Sequence, residues 1–146
     1  MVRPEAIDEF REITQSETPD DWIVEGLRQA DEKTQLEPAL MRIIGEVDET
    51  PHGPTEIADL TTAHLRVFGR PAFAGIVIKG RSSKKVRAAD IADQLQRAAS
   101  LPSSGLVVLA AVGDIQDDAK HRVAWLAEKA EIDWLVLDRG DLARLL

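Results

Sequence analysis

Asp59 and Lys79 are two residues whose types and spacing could do chemistry together. Lys79 directly follows the apolar run 73–78, which is typical of a buried strand. A charged side chain at the end of such a strand requires an explanation. A hairpin turn near residue 69 or 70 places Asp59 opposite Gly80, one residue from Lys79. In such a pair the carboxylate can hold a divalent metal, while the lysine stabilises a developing negative charge or positions a water. This is the minimal equipment for metal-dependent phosphodiester hydrolysis. A cross-strand salt bridge, or a lysine that reaches from a strand end into solvent, also explains the pair.

The elements that would position this pair follow an order of helices, a β-hairpin, and then alternating helices and strands. Gly45 is expected to end the third helix, and Pro38 favours a break or a fresh start near its beginning. Strands that alternate with helices after a hairpin imply an α/β fold, with a mixed central sheet flanked by helices in a three-layer sandwich. The predicted helices cover 4–15, about 18–30, 34–44, 86–99, 116–130 and 140–146, and the predicted strands cover 55–67, 72–80, 105–112 and 132–138.

Composition limits the class of protein. The chain has 146 residues, of which 44% are hydrophobic and 30% charged, as is ordinary for a folded single domain. It contains no cysteine, which excludes disulfides, a thiol nucleophile and thiolate metal sites. No apolar run approaches the roughly 20 residues that cross a bilayer, and MVRPEAIDEF is not a basic leader. We therefore expect a cytoplasmic protein that does not associate with membranes.

Charge is unevenly distributed along the chain. The net charge is −8, yet residues 60–89 hold seven basic residues and no acid. Such a segment is either a solvated face or a phosphate-facing surface, since phosphate contacts are the main source of nucleic-acid affinity. On the second interpretation, the nucleic-acid-binding residues are Arg66, Arg70, Arg81, Lys84, Lys85 and Arg87.

The tryptophans and histidines do not point to a site. Trp22, Trp125 and Trp134 each lie in an apolar pattern, which predicts core packing rather than base stacking. The histidines lie at no recognisable metal-ligand spacing, and no nucleophile motif accompanies them. They are expected to be ordinary surface or loop residues.

Four segments carry a family resemblance. They are TEIADL with Asp59, IVIKG with Lys79, SSGLVVLAAVGDIQDDAK and IDWLVLDRGDLARLL. In their order and spacing they resemble the catalytic domain of Mrr-like restriction endonucleases. That family belongs to the PD-(D/E)xK nuclease superfamily. The core of that superfamily is a helix, three antiparallel strands, a helix and a further strand. The resemblance covers about 34–146, so it predicts a restriction-endonuclease-like domain there and leaves 1–33 as an N-terminal helical extension.

The resemblance implies a site and its partners. Asp59 matches the metal-binding aspartate of the motif, Lys79 matches its lysine, and Glu37 matches a glutamate on the first core helix. Gln94 matches a polar residue of the helix after the lysine. The implied catalytic residues are thus Asp59, Lys79 and Glu37, with Mg²⁺ or Mn²⁺ held by Asp59 and the main chain near Ile78. The implied substrate is DNA, cleaved in restriction or defence, and such nucleases often work as homodimers.

Val77 departs from the family pattern, which has Glu, Asp or Gln two residues before the lysine. A valine cannot ligate a metal, so one central ligand is missing from the motif. A carboxylate from elsewhere could replace it. Alternatively, the chain keeps the fold but has lost cleavage, and acts as a module that binds nucleic acid or a protein partner in a larger assembly. The replacement candidates are Asp90, Asp93, Glu37 and Glu56, of which Glu56 points away from Asp59 by strand alternation.

Overall fold

A mixed β-sheet with helices on both faces organises the chain. The structure is a computed structural model that describes residues 2–14, 21–47, 55–57, 60–102 and 104–145. A 3₁₀ turn at Pro4–Ala6 precedes the first helix, and a π-helical turn at Glu32–Leu36 leads into the third. The α-helices are α1 (Asp8–Thr14), α2 (Asp21–Leu27), α3 (Glu37–Val47), α4 (Ala88–Ser100), α5 (Asp117–Ala130) and α6 (Arg139–Leu145).

Two groups of strands meet in the central sheet, whose order is β1-β2-β3-β5-β7. The first three strands are antiparallel to one another, whereas β3, β5 and β7 are parallel. A short parallel pair, β4 and β6, lies outside this sheet. The strands are β1 (Thr55–Ile57), β2 (Leu60–Val67), β3 (Arg70–Lys79), β4 (Lys85–Val86), β5 (Ser104–Ala111), β6 (Asp114–Ile115) and β7 (Asp133–Leu137). Because β3, β5 and β7 are parallel, their last residues share one edge of the sheet, which we call the C-terminal edge.

Strand alternation divides the apolar residues between two cores, one on each face of the sheet. In β5, Leu106 and Val108 belong to the first core and Val107 and Leu109 to the second. Helices α1, α3 and α6 cover the first core, and α4 and α5 cover the second. This arrangement confirms the predicted α/β class and the mixed sheet flanked by helices.

The β2–β3 hairpin is present, but its register differs by two residues from the predicted one. Thr61 pairs with Ile76, whereas the predicted register places Ile78 opposite Thr61. The turn consists of Phe68 and Gly69 alone, with φ angles of +50° and +80°. Two consecutive positive φ angles suit the twist of a tight hairpin, although a phenylalanine rarely adopts one. The predicted turn was placed too late because it included the first residues of β3.

Two other predicted boundaries are wrong. The predicted strand 55–67 consists of two strands, because Ile57 pairs with Leu60 and β1 folds back on β2. Gly45 does not end the third helix, which continues to Val47. Pro38 does not interrupt the chain's helical course, because the π-helical turn Glu32–Leu36 passes directly into α3 at Glu37.

The prediction that the tryptophans pack in the core is wrong for two of them. Trp22 is 74% exposed and Trp125 is 47% exposed, whereas Trp134 packs against the second core. Lys129 Nζ lies 4.3 Å from the centre of the Trp125 ring, so a cation from the same helix covers part of this surface.

The N-terminal residues contribute to the first core. Val2, Ile7, Phe10 and Ala30 are all buried there. Ile7 also forms a β-bridge with Val67 at the end of β2. Residues of the 1–33 segment are therefore packed against the same sheet as the rest of the domain.

Candidate nucleic-acid interface

Lys79 is the last residue of β3 and is partly buried at the C-terminal edge. The next residue, Gly80, is buried against the backbone of Glu32, and a Cβ at position 80 would collide with it. Arg81 then donates its backbone N–H to Ala30 O at 2.8 Å. These contacts fix the end of β3 against the segment that leads into α3, and they determine where the residues after Lys79 go.

Asp59, the predicted partner of Lys79, lies outside the described residues. Ile78, whose main chain is the other predicted metal ligand, buries its side chain in the first core, so only its carbonyl oxygen could serve. Among the residues that the structure describes, no group of three or more His, Asp or Glu side chains could hold a metal ion. The described residues therefore do not by themselves fit a divalent metal.

Val77 is completely buried in the second core. It has 0% exposed surface and belongs to the same cluster as Ile91 and Leu95 of α4. Because side chains alternate along β3, Lys79 lies on this same face, two residues further on. The position at which the resembled motif has a metal ligand is an apolar packing position in this chain.

Glu37 begins α3 and is only 8% exposed. Its Oε2 lies 3.3 Å from Lys33 Nζ, one helical turn earlier. Leu40, three residues after Glu37, packs in the first core, whereas Lys79 follows Val77 onto the opposite face. The structure therefore places the Glu37 helix and Lys79 on opposite faces of the sheet.

Gln94 lies in α4, on the same face as Lys79. A Cβ at Gly75 would lie 2.9 Å from Ala98 Cβ, so this part of α4 touches β3. A helix that connects parallel strands runs antiparallel to them, so residues before Ala98 lie beside residues after Gly75. The four residues from Ala98 back to Gln94 span about 6 Å of helix, which equals about two residues of strand. Gln94 is thus level with Val77. Its Oε1 is buried without a hydrogen-bond partner among the described residues.

The two replacement carboxylates on α4, Asp90 and Asp93, are both exposed. Asp90 Oδ2 accepts the backbone N–H of Arg87 at 3.1 Å, which satisfies a free donor at the start of the helix. Asp93 is exposed one turn later. Glu56 pairs with Thr61 across the β1–β2 hairpin, and its side chain is outside the described set.

The basic segment 60–89 divides between two ends of the sheet. Arg66 and Arg70 lie beside the β2–β3 turn, whereas Arg81, Lys84 and Lys85 follow the other end of β3. The ten residues of β3 separate these groups by roughly 30 Å. Arg87 is exposed at the start of α4. The predicted nucleic-acid residues thus do not all share one surface.

Arg66 has a structural partner at its end of the sheet. Its Nε lies 2.9 Å from Glu9 Oε1, and its backbone N–H donates to Glu9 Oε2 at 3.0 Å. The Glu9 side chain is 1% exposed, so this carboxylate depends on Arg66 for its charge partner.

We expect Arg66→Ala to lower the free energy of unfolding by about 1–2 kcal/mol, because Glu9 loses a charged partner but keeps its backbone hydrogen bond. Urea denaturation measures the difference. Arg70→Ala is the matched control, since Arg70 is exposed nearby and its loss should change stability by less than about 0.5 kcal/mol. Equal stabilities for the two variants would contradict a structural role for Arg66.

Cations from three separate segments converge on a cleft of about 230 Å³ at the C-terminal edge. We call it the cationic cleft. Arg28 comes from the segment after α2, the residues from the end of β3 to the start of β4 supply three cations, and Arg139 begins α6. The lining residues are Arg28, Gln29, Arg81, Ser83, Lys84, Lys85, Val112, Gly113, Asp114 and Arg139.

The wall of the cationic cleft is held by backbone contacts between the ends of β3 and β5. Val112 donates its N–H to Lys79 O at 3.2 Å, and Asp114 donates its N–H to Lys84 O at 2.8 Å. Gly113 lies between them against the backbone of Ser83 and Lys84, where a Cβ would collide. Glycine at this position therefore allows the loop after β3 to approach the end of β5.

Three of the five cations are paired with acids. Arg28 Nε lies 3.0 Å from Glu25, Arg81 lies 3.8 Å from Asp31, and Arg139 lies 3.5 Å from Asp114. Lys84 and Lys85 are exposed, and no acid among the described residues is within ion-pair distance of either. Among the described residues, five cations and three paired acids leave a surplus of two positive charges at the cationic cleft.

Asp31 is held in its ionised form beside Arg81. Thr34 donates its backbone N–H to Asp31 Oδ2 at 2.9 Å and its hydroxyl to the same oxygen at 2.8 Å. These hydrogen bonds, the backbone one first, lower the pKa of the Asp31 carboxyl, and the Arg81 charge adds to the effect. Asp31 therefore neutralises part of the Arg81 charge at neutral pH.

Arg139 is anchored more firmly than the other cations. Its Nη1 donates to Val112 O at 2.8 Å, and its side chain is 15% exposed. Its Nε is buried and has no acceptor among the described residues. Arg28 and Arg139 were not among the nucleic-acid-binding residues predicted from the sequence, because they lie far from the basic segment. The signal that could have identified them is that ligands of α/β proteins often bind beyond the carboxyl ends of parallel strands.

Comparisons with protein-family models, curated proteins and solved structures found no match for this chain. Among the described residues, no helix combines the length and apolarity needed to span a membrane.

Proposed function

We propose that this chain is a DNA-binding module with a restriction-endonuclease-like fold, and that it engages phosphates through the cationic cleft. The observation that carries this proposal is the convergence of five cations at the C-terminal edge. Phosphate contacts dominate the affinity of proteins for DNA, and arginine and lysine are the side chains that make them. A local surplus of positive charge is sufficient for this role even in a chain of net charge −8.

The order of elements supports the choice of fold. Helix α3 is followed by the antiparallel strands β1, β2 and β3, then by α4 and the parallel strand β5. This is the order of the core described for the PD-(D/E)xK superfamily. The sequence resemblance over about 34–146 runs through the same elements, so the local motifs and the topology agree. DNA is proposed as the ligand on the strength of that resemblance together with the cationic cleft.

The buried side chain of Val77 favours binding over cleavage. It occupies the motif's ligand position and is packed among apolar residues of α4. Glu37, the other carboxylate of the predicted site within the described residues, lies within ion-pair distance of Lys33. A metal at this edge would depend on Asp59, which lies outside the described residues.

Metal-dependent cleavage is the second candidate, and the position of Lys79 favours it. Lys79 stands at the C-terminal edge, two residues before Arg81 of the cationic cleft, so a phosphate bound there lies near a lysine. If the chain is a nuclease, cleavage depends on Asp59 and Lys79, and Mg²⁺ or Mn²⁺ supplies the Lewis acid.

A cleavage assay separates the two candidates. Wild type is incubated with supercoiled and linear DNA in EDTA, Mg²⁺ and Mn²⁺, beside Asp59→Ala and Lys79→Ala. We expect all three proteins to bind DNA in EDTA and none to cut it with either metal. Metal-dependent cutting by wild type that falls about 100-fold in both variants would instead establish the enzyme. Absence of DNA binding by wild type at low salt would remove the proposal altogether.

A further inference from the structure

The cations that line the cationic cleft come from three parts of the chain. Arg28 follows α2, Arg81, Lys84 and Lys85 follow β3, and Arg139 begins α6. The ends of β5, at Val112 and Gly113, line the remainder. A surface that follows a continuous DNA backbone needs cations spaced along several phosphates, whereas these five cations line one cleft of about 230 Å³.

The charge surplus selects the kind of anion. In the part of the chain that the structure describes, two positive charges remain after Glu25, Asp31 and Asp114 are matched with their arginines. A phosphodiester carries one negative charge, whereas a phosphate monoester carries about 1.5 to 2 at pH 7 and has three terminal oxygens that accept hydrogen bonds. The surplus therefore matches a monoester better than a backbone diester.

The donors at the cleft suit phosphate oxygens. Arg139 holds its guanidinium in place through Val112 O, so its orientation does not have to be fixed on binding. Ser83 lines the cleft and can add a hydroxyl, and Lys84 and Lys85 add flexible charges. Arginine forks and lysine ammonium groups are the usual ligands of phosphate.

The size of the cleft limits the ligand further. Its volume of about 230 Å³ is below the roughly 300–1,000 Å³ of sites that enclose drug-sized ligands. It accommodates a phosphate and the sugar attached to it, while the remainder of a longer ligand would lie outside.

We propose that the cationic cleft binds a phosphate monoester and, resting on the proposed function, that this group is the 5′-terminal phosphate of a DNA strand. The chain would then recognise DNA ends or nicks that carry a phosphate in preference to uninterrupted duplex. A small phosphorylated compound offers the same chemistry, and the experiment distinguishes the two sources.

Fluorescence anisotropy with short labelled duplexes tests the proposal. One duplex carries 5′-phosphates and the other carries 5′-hydroxyls, and inorganic phosphate is titrated separately by calorimetry. The test variant is Lys84→Gln with Lys85→Gln, because both side chains are exposed and their replacement should not disturb folding. The matched control is Arg97→Gln with Arg122→Gln, which removes the same charge from exposed positions on α4 and α5.

We expect wild type to bind the phosphorylated duplex about tenfold more tightly, which corresponds to one strong charge-assisted contact. The Lys84/Lys85 variant should lose this preference and the Arg97/Arg122 control should keep it. Equal binding of the two duplexes by wild type would overturn the inference and leave the proposed function intact. If no duplex binds but inorganic phosphate binds to wild type and not to the cleft variant, the phosphate site stands and the DNA source is wrong. Failure of both ligands to bind would overturn the site and the proposed function together.

Discussion

Val77→Glu is expected to lower the free energy of unfolding by about 3–5 kcal/mol, although it restores the residue type of the resembled nuclease motif. Val77 has 0% exposed surface and packs with Ile91 and Leu95 in the second core. A carboxylate there takes the place of an apolar side chain in this cluster, so it is buried in apolar surroundings whether it is ionised or protonated. Urea denaturation of both proteins at neutral pH measures the difference, provided that the slopes agree.

The matched control is Val77→Ala, which removes the same side chain without adding charge and should cost about 1–3 kcal/mol. The pH dependence identifies the cause. Burial raises the folded-state pKa of the introduced glutamate above its unfolded value near 4.3. As pH rises, the glutamate of the unfolded state therefore ionises first, and this ionisation favours the unfolded state. The destabilisation should therefore be smaller at pH 5 than at pH 8. A Val77→Glu protein as stable as Val77→Ala, and able to cut DNA with Mg²⁺, would show that the strand end accommodates a ligand and would favour the enzyme candidate.

Val77 also shows what the sequence could and could not predict about the site. The apolar run 73–78 correctly predicts a buried strand, and IVIKG identifies Lys79 at its end. A single sequence cannot tell whether a valine at position 77 is a lost ligand with an empty space around it or a residue of a packed core. Only the second core, in which α4 covers Val77, distinguishes these cases.

The hairpin illustrates the limit of turn prediction. Phe68 and Gly69 form the complete turn, and Phe68 takes a positive φ that its side chain disfavours. Pro71, which usually marks a turn, lies instead within β3 opposite Arg66. The β1–β2 connection was missed for a related reason, since Ala58-Asp59 lacks the Asn-Gly or Asp-Gly signature of a tight hairpin. Element types followed from periodicity, whereas register depended on tertiary contacts.

The cationic cleft could not be read from local charge alone. Residues 81–85 were identified by their run of basic side chains, but Arg28 and Arg139 lie more than fifty residues away along the chain on either side. They meet because β3 and β5 end at the same edge and because α6 returns to it after β7. Conversely, Arg66 belongs to the same basic segment and yet pairs with the buried Glu9 at the opposite end of β3. Charge density along a sequence predicts exposure better than it predicts which charges share a surface.

Neutralising the loop of the cationic cleft is expected to reduce duplex DNA affinity by roughly 100–1,000-fold at 0.1 M salt. The variant combines Arg81→Gln, Lys84→Gln and Lys85→Gln. Each neutralised phosphate charge contributes about 0.9 to the slope of log affinity against log salt concentration. A single phosphate monoester, with about 1.5 to 2 charges, therefore accounts for a fall in that slope of roughly 1 to 2. Anisotropy titrations between 50 and 300 mM salt measure both quantities, and circular dichroism establishes that the variant is folded.

The informative control removes three exposed cations elsewhere, through Arg70→Gln, Arg97→Gln and Arg122→Gln. It has the same net charge as the cleft variant, so any long-range effect of making an acidic chain more acidic is equal in both. Arg70 matters most, because it belongs to the basic segment but lies at the other end of β3, roughly 30 Å away. If DNA follows the C-terminal edge, the control should keep most of the salt slope. If the two triple variants weaken binding equally, the charges act through net charge rather than through contact, and the interface does not lie at the cationic cleft.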